Sequence, residues 1–165
     1  MSVPRSAAAG LGLGLLWGIA ARGWMRLIST SHEFTWTGTG MILALTSASG
    51  LALGILYGVR RAGRSRWWRV LAVLCLPTFV GPGAFFLPVF LLGGLLYLHH
   101  LWSCLVGAAG LVLAQIGLWE GFNGEWINPW YLYGGFLVLS LTLAAGAAEL
   151  YRPRPQLREA AVAQE

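Results

Sequence analysis

Two arginines one helical turn apart are the residues of this sequence best placed to do chemistry. Arg22 and Arg26 follow an apolar segment at a spacing of four, so their guanidinium groups repel each other unless acids intervene. We therefore expect acidic partners, and any surplus positive charge would attract a small anion or a lipid phosphate. The predicted polar cluster comprises Arg22, Arg26, His32, Glu33, Glu120 and Glu125. The alternative is that both arginines extend separately to lipid headgroups.

The remaining titratable residues predict neither a catalytic nor a metal site. His99 and His100 are adjacent, so their side chains point about 100° apart on a helix and are poorly placed to bind one ion. We expect a polar cap there, with haem or pigment ligation by one histidine as the alternative. Cys75 and Cys104 lie in apolar runs and should behave as small buried hydrophobes. Nucleophile motifs, phosphate loops and nucleotide fingerprints are missing from the sequence, so we predict no cofactor and no enzymatic activity.

The composition indicates a membrane protein. Of the 165 residues, 57% are hydrophobic and only 10% are charged, whereas soluble domains carry roughly 25% charged residues. We predict one transmembrane domain over residues 1–151 and a short, disordered cytoplasmic tail over 152–165. The net charge of +5 is explained by basic loops that orient a membrane protein, so we do not predict binding to nucleic acid.

The stretch 70–98 predicts a broken helical hairpin. It is apolar for about 29 residues, more than the ~20 that one span needs. Helix breakers interrupt its middle, namely Pro77, Gly81, Pro82, Gly83 and Pro88. We expect two short helices that fold back at the Gly-Pro-Gly turn. They either cross the bilayer completely or form a re-entrant pair whose tip is buried in protein or faces water.

The distribution of arginine predicts six spans with both termini in the cytoplasm of a cell membrane. Clean apolar spans are predicted over 7–28, 40–59, 101–119 and 131–150. The segment 60–69 holds five arginines and the tail holds three more, so we place both inside. An even number of crossings must then separate them, and the hairpin must leave and return to one side. The predicted polar cluster then faces outward. A cleaved signal over residues 1–21 is the alternative for the first segment.

Two stripes of glycine predict close helix packing. Gly10, Gly14 and Gly18 recur every four residues in the first span, and Gly50, Gly54 and Gly58 do so in the second. Small residues at this spacing let another helix approach closely. The stripes predict contact between these two helices, or contact with a second copy of the chain. Two polar residues also lie inside clean spans: Gln115, and Glu149, which we expect either to extend to the membrane interface or to pair with Arg152.

Three functions are compatible with these features. The favoured one is a non-enzymatic helix-packing, assembly or accessory membrane protein, whose partners are the lipid bilayer and either a second copy or another membrane protein. A small transporter or channel is the second, because broken apolar segments occur in such proteins. An intramembrane lipid-modifying enzyme is the least favoured, because it needs a cluster of acids, bases or metal ligands that the sequence lacks.

Overall fold

The computed structural model describes residues 2–29, 35–63, 66–122 and 127–152, and only the backbone of residues 66, 69 and 82. Within these ranges every regular element is helical. The α-helices are α1 (Val3–Ile28), α2 (Trp36–Arg61), α3 (Leu87–Leu92), α4 (Leu101–Gly121) and α5 (Gly135–Ala147). A π turn (Trp130–Gly134) precedes α5 and a 3₁₀ turn (Ala148–Leu150) follows it; together they form the last helix, Trp130–Leu150.

Two short arms connect α2 to α4. The first arm is a 3₁₀ helix, Arg66–Phe79. The second arm consists of a 3₁₀ segment (Gly81–Phe86), α3, and another 3₁₀ segment (Gly93–Tyr97). A 3₁₀ helix rises about 2.0 Å per residue, more than the 1.5 Å of an α-helix. The first arm is therefore about 28 Å long and the second about 31 Å.

Among the described residues, four helices are long and apolar enough to cross a membrane: α1, α2, α4 and the last helix. The predicted helical fold is thus confirmed over these residues, and the four helices support a membrane protein. The two arms contain shorter apolar helices, Val70–Phe79 and Gly83–Tyr97, so the count of six spans stays a prediction. Of the polar tail, only Arg152 belongs to the described residues.

The two glycine stripes face each other between antiparallel α1 and α2. A Cβ atom built on Gly10 would lie 2.7 Å from the Cα of Gly54, and one on Gly50 would lie 2.7 Å from the Cα of Gly14. Gly18 abuts the side chain of Thr46 and Gly58 abuts the N-terminal turn of α1. We call this contact the glycine seam. Of the two contacts expected for the stripes, the structure therefore shows the one between α1 and α2 of the same chain.

The helical break lies at the predicted turn. The backbone of Val80 is extended, with φ −82° and ψ 142°, and Gly81 adopts φ +63°. Gly83 packs against the carbonyl of Thr78, where a Cβ atom would collide. Pro77 lies inside the first arm and Pro88 begins α3, so the five predicted breakers bracket the tip of the hairpin.

The first arm packs along α2 with the three-residue period of a 3₁₀ helix. Cys75 is buried and Thr78 is half-buried. The Thr78 hydroxyl lies 2.6 Å from that of Ser49. The neighbouring face, with Val70 and Val73 both about 60% exposed, turns away from the protein. An apolar surface of this kind is compatible with lipid.

The second arm runs antiparallel to α4 and contacts the last helix. A Cβ atom on Gly110 would lie 2.7 Å from the Cβ of Leu92, and one on Gly94 would lie 2.7 Å from the carbonyl carbon of Ala147. The ring of Phe85, next to the hairpin tip, reaches Gly121 at the end of α4. The hairpin tip therefore lies level with the end of a helix long enough to cross a membrane.

An aromatic core joins α1, the second arm and the last helix. The rings of Phe86 and Phe136 stack with centroids 4.5 Å apart, and Trp17 and Trp24 approach Phe86 edge-on at 5.4 and 6.2 Å. The Trp24 indole donates a hydrogen bond to the carbonyl of Tyr131 at 2.8 Å, within the π turn. We refer to this end of the bundle as the Trp24 end and to the opposite end, where the last helix finishes, as the Glu149 end.

Candidate functional site

A cavity of about 540 Å³ lies beside the glycine seam, between α1, α2, the first arm and the last helix. Seam glycines line one side of it, and Ala145 and Gly146 line the other. The cavity is thus a consequence of close packing. Helices that meet through glycine leave no side chains to fill the space next to their contact.

The cavity occupies one half of the bundle's depth. It follows α1 from Ser6 to Trp17 and α2 from Thr46 to Tyr57, and each stretch rises about 16 Å. The hydrocarbon core of a bilayer is ~30 Å thick. The cavity therefore matches the depth of a single leaflet.

Aromatic rings close the cavity toward the Trp24 end. Phe79 and Phe90 line it with centroids 4.9 Å apart. Trp17 lines it too and packs against the aromatic core. The Trp17 indole is held by hydrogen bonds of 3.2 Å to the carbonyl of Leu139 and to the hydroxyl of Thr142.

Four hydroxyl groups around the cavity, those of Thr46, Ser49, Thr78 and Thr142, are hydrogen-bonded within the protein. Thr46 donates to the carbonyl of Ile42 at 2.9 Å, and Thr142 donates to that of Leu139 at 2.9 Å. Ser49 and Thr78 bond to each other. Because these polar atoms are already hydrogen-bonded, the wall suits a hydrocarbon chain better than a hydrated solute.

Charged residues gather at the Glu149 end of the cavity. The Glu149 carboxylate, which lines the cavity, binds the guanidinium groups of Arg60 and Arg152, the latter at 2.6 Å. The side chains of Arg60 and Glu149 are only 15% and 12% exposed, whereas Arg152 is 43% exposed. We call these three residues the ion cluster. Two arginines and one glutamate give the cluster itself a net charge of +1.

Two tyrosines, Tyr57 and Tyr151, lie next to the ion cluster. The guanidinium carbons of Arg60 and Arg61 lie 5.8 and 5.3 Å from the ring centroid of Tyr57, which lines the cavity. On the other side, the Tyr151 hydroxyl donates to the carbonyl of Leu91 in the second arm. Burial raises the pKa of Tyr151, so this hydroxyl remains a protonated donor at neutral pH.

The predicted outward cluster is only partly covered by the structure. Arg22 Nε donates to the Thr39 hydroxyl at 3.0 Å, which ties α1 to the start of α2. Arg26 is exposed in the last turn of α1, and Glu120 is exposed near the end of α4. The other predicted members, His32, Glu33 and Glu125, lie outside the described residues. The cluster therefore stays a prediction.

The remaining candidate residues do not converge. His99 and His100 are exposed ahead of α4, Cys75 is buried against α2, and Cys104 is half-buried in α4. Within the described ranges, no three histidine, cysteine or acidic side chains come close enough to hold a metal ion. Gln115 lines a second, more open cavity of about 530 Å³ between α4 and the last helix.

The pairing of Arg60 with Glu149 was not predicted from the sequence, although the pairing of Glu149 with Arg152 is confirmed. Arg60 and Glu149 are 89 residues apart along the chain. The cavity was also missed. Its signal in the sequence is small residues on three helices, because Ala145 and Gly146 repeat on the last helix what the stripes provide on α1 and α2.

Comparison with protein-family models, with curated proteins and with solved structures finds no match to this chain.

Proposed function

We propose that this chain is a non-catalytic, multi-pass membrane protein that holds one hydrocarbon chain of a membrane lipid in the cavity beside the glycine seam. The observation that carries the proposal is the cavity itself, which is apolar, about 540 Å³ in volume and one leaflet deep. Ligand sites typically measure about 300–1,000 Å³ and are lined mainly by apolar groups. The proposal refines the accessory class of membrane protein that the sequence favours.

Access from the bilayer supports a lipid ligand. Leu13 on α1 is 67% exposed and Ala145 on the last helix is also exposed, although both line the cavity. We infer that a lipid chain enters sideways between these helices, without first passing through water. The aromatic closure at the Trp24 end argues against a continuous channel, so we favour retention of lipid over conduction.

We assign the Glu149 end to the cytoplasm of a cell membrane, with six spans and both termini inside. The arginines of the α2–first arm connection and of the tail support this orientation. Full crossings need a locally thinned bilayer, because the apolar parts of the arms, Val70–Phe79 and Gly83–Tyr97, are about 20 and 27 Å long against the ~30 Å of the hydrocarbon core. The position of Phe85 beside Gly121 supports full crossings, because it places the hairpin tip level with the end of α4. The cavity then opens to the inner leaflet.

Assembly with a second copy or another membrane protein is a second candidate function, favoured by Gln115. Its amide oxygen is buried and has no hydrogen-bond partner among the described residues, beside an open apolar groove. Polar side chains that face another helix in lipid favour association. If Gln115→Leu leaves the oligomeric state in detergent unchanged, this candidate loses its support.

Filling the cavity tests lipid retention directly. A Cβ atom on Gly146 would lie 3.5 Å from a methyl group of Leu53, in ordinary van der Waals contact, and we expect the longer side chain of Gly146→Leu to occupy the cavity that Gly146 lines. The purified full chain is incubated with dioleoyl phosphatidylcholine and its bound lipid is counted by native mass spectrometry. We expect one retained lipid per chain, and a loss of about tenfold or more in affinity for Gly146→Leu.

Gly12→Leu is the matched control, because a Cβ atom on Gly12 meets nothing within 4 Å and Gly12 is not among the residues that line the cavity. It should retain lipid like the unmodified chain. Equal retention by the Gly146→Leu and unmodified chains would contradict the proposal.

A further inference from the structure

We infer that the lipid held in the cavity is an anionic phospholipid, whose phosphate binds Arg60 and Arg152 in place of the Glu149 carboxylate. This inference rests on the proposed function and adds the chemistry of the headgroup. The evidence is the position, the burial and the charge of the ion cluster relative to the cavity.

Position links the headgroup to the hydrocarbon chain. Glu149 both lines the cavity and bonds to the two arginines. A phosphate that takes the place of its carboxylate therefore sits at one end of the cavity, and a chain attached to that phosphate extends along the glycine seam. The cavity depth of about 16 Å matches a chain from one leaflet.

The chemistry of arginine allows this exchange. A guanidinium group presents the same planar fork of donors to a carboxylate and to a phosphate. Arg60 is 15% exposed, and such a partly desolvated site strengthens its interaction with an anion. Arg152 is 43% exposed and can follow a headgroup toward water. Glu149 thus acts as an internal substitute that holds both arginines when no lipid is bound.

The charge of the site selects an anionic headgroup. The ion cluster carries a net charge of +1. Phosphatidylglycerol presents one negative charge and no cation, whereas the choline group of phosphatidylcholine would bring a positive charge to this end. Both lipids can place a hydrocarbon chain in the cavity, so their difference isolates the contribution of the headgroup.

The test compares the two lipids on the detergent-purified full chain. Dioleoyl phosphatidylglycerol and dioleoyl phosphatidylcholine are titrated separately, and the bound lipid is counted by native mass spectrometry at each concentration. We expect the unmodified chain to prefer phosphatidylglycerol by about tenfold. Arg60→Gln should abolish this preference, and Arg61→Gln, the matched control at the neighbouring position, should keep it.

Glu149→Gln provides a gain of binding that a structural defect would not produce. Glu149→Gln removes the carboxylate that competes with the phosphate for both arginines, so the variant should bind phosphatidylglycerol several-fold more tightly than the unmodified chain while its affinity for phosphatidylcholine stays the same. If Arg60→Gln fails to fold, Arg152→Gln takes its place, because its exposed side chain tolerates replacement. It should reduce the preference for phosphatidylglycerol.

Three results would overturn the inference. They are equal binding of both lipids by the unmodified chain, equal effects of Arg60→Gln and Arg61→Gln, and weaker phosphatidylglycerol binding by Glu149→Gln. Competition with inorganic phosphate is a further test. If inorganic phosphate displaces phosphatidylglycerol at equal concentration, the site recognises a soluble anion and the lipid assignment is wrong. Retention of phosphatidylcholine that Gly146→Leu abolishes would still support the proposed function, so the two proposals fail separately.

Discussion

Two glycines at the hairpin tip are required for different physical reasons. Gly81 adopts φ +63°, a backbone conformation that side-chain-bearing residues resist, but a Cβ atom there would meet nothing within 4 Å. Gly83 has no positive φ, yet its α-carbon packs against the carbonyl of Thr78. The first position is limited by conformation and the second by space.

This difference predicts a graded effect of alanine. Gly81→Ala should destabilise the protein by about 1 kcal/mol, the usual cost of alanine at positive φ. Gly83→Ala should cost more, because the backbone of the turn must move. Thermal unfolding in detergent measures both. Gly40→Ala is the control, since it is helical and open, and it should not lower the unfolding temperature. A Gly83→Ala protein as stable as the unmodified chain would contradict the packing argument.

Charge reversal tests the predicted outward cluster at the same scale. Arg22→Glu should destabilise the protein, because it loses the hydrogen bond to Thr39. If the cluster forms, adding Glu33→Arg or Glu120→Arg should restore part of the lost stability, since the opposite charges are then paired again in reversed order. Thermal unfolding of the single and double variants is the measurement. Absence of rescue in both double variants would rule out the cluster as a unit.

At the scale of the helical elements, the glycine seam determines how α1 and α2 meet. Without side chains the backbones approach closely, and dispersion contacts between them drive association in lipid. The same glycines leave the adjacent cavity unfilled. The close packing of α1 against α2 and the proposed binding of lipid therefore both depend on the seam glycines.

Replacing a seam glycine should separate the two helices. A Cβ atom on Gly54 would lie 2.9 Å from the Cα of Gly10, so Gly54→Leu cannot be accommodated without moving the backbone. We expect a loss of about 2 kcal/mol or more, measured as a lower unfolding temperature in detergent. Gly40→Leu, on the same helix and facing open space, should keep the stability of the unmodified chain. Equal unfolding temperatures for both variants would mean that the seam contributes nothing.

At the scale of the whole molecule, the short arms determine the topology. Reporter fusions after Glu165 should report a cytoplasmic C-terminus, and fusions within 120–130 should report the outer side, because the arginine-rich segments stay inside. A C-terminus on the outer side would contradict the six-span topology.

Labelling of the hairpin tip distinguishes a full crossing from a re-entrant pair. Ala84 is exposed at the tip, so Ala84→Cys, with Cys75 and Cys104 replaced by alanine, offers a single thiol. A membrane-impermeant maleimide added to intact cells should label it if the arms cross the bilayer completely. Labelling only after the cells are permeabilised would favour the re-entrant arrangement. As a control, the protein with both native cysteines replaced should unfold at the same temperature as the unmodified chain.

The sequence by itself determined the features that depend on neighbouring residues in the chain. Hydropathy over about twenty residues identifies four long helices, and the Gly81 break follows from residues adjacent to it. The four-residue spacing of Gly10, Gly14 and Gly18 identifies a face for close packing because one turn of helix sets that period. These signals are local, so they can be found without knowing the fold.

The tertiary structure decided which distant surfaces meet. The stripes alone permit contact with either α2 or a second copy, and only the register of α1 against α2 places Gly10 beside Gly54. Arg60 meets Glu149 across 89 residues of sequence, and the cavity exists only because small residues from separate helices surround the same space. Neither the Arg60–Glu149 pair nor the cavity leaves a periodic signal in one segment, since each results from helix packing rather than from the preferences of a single helix.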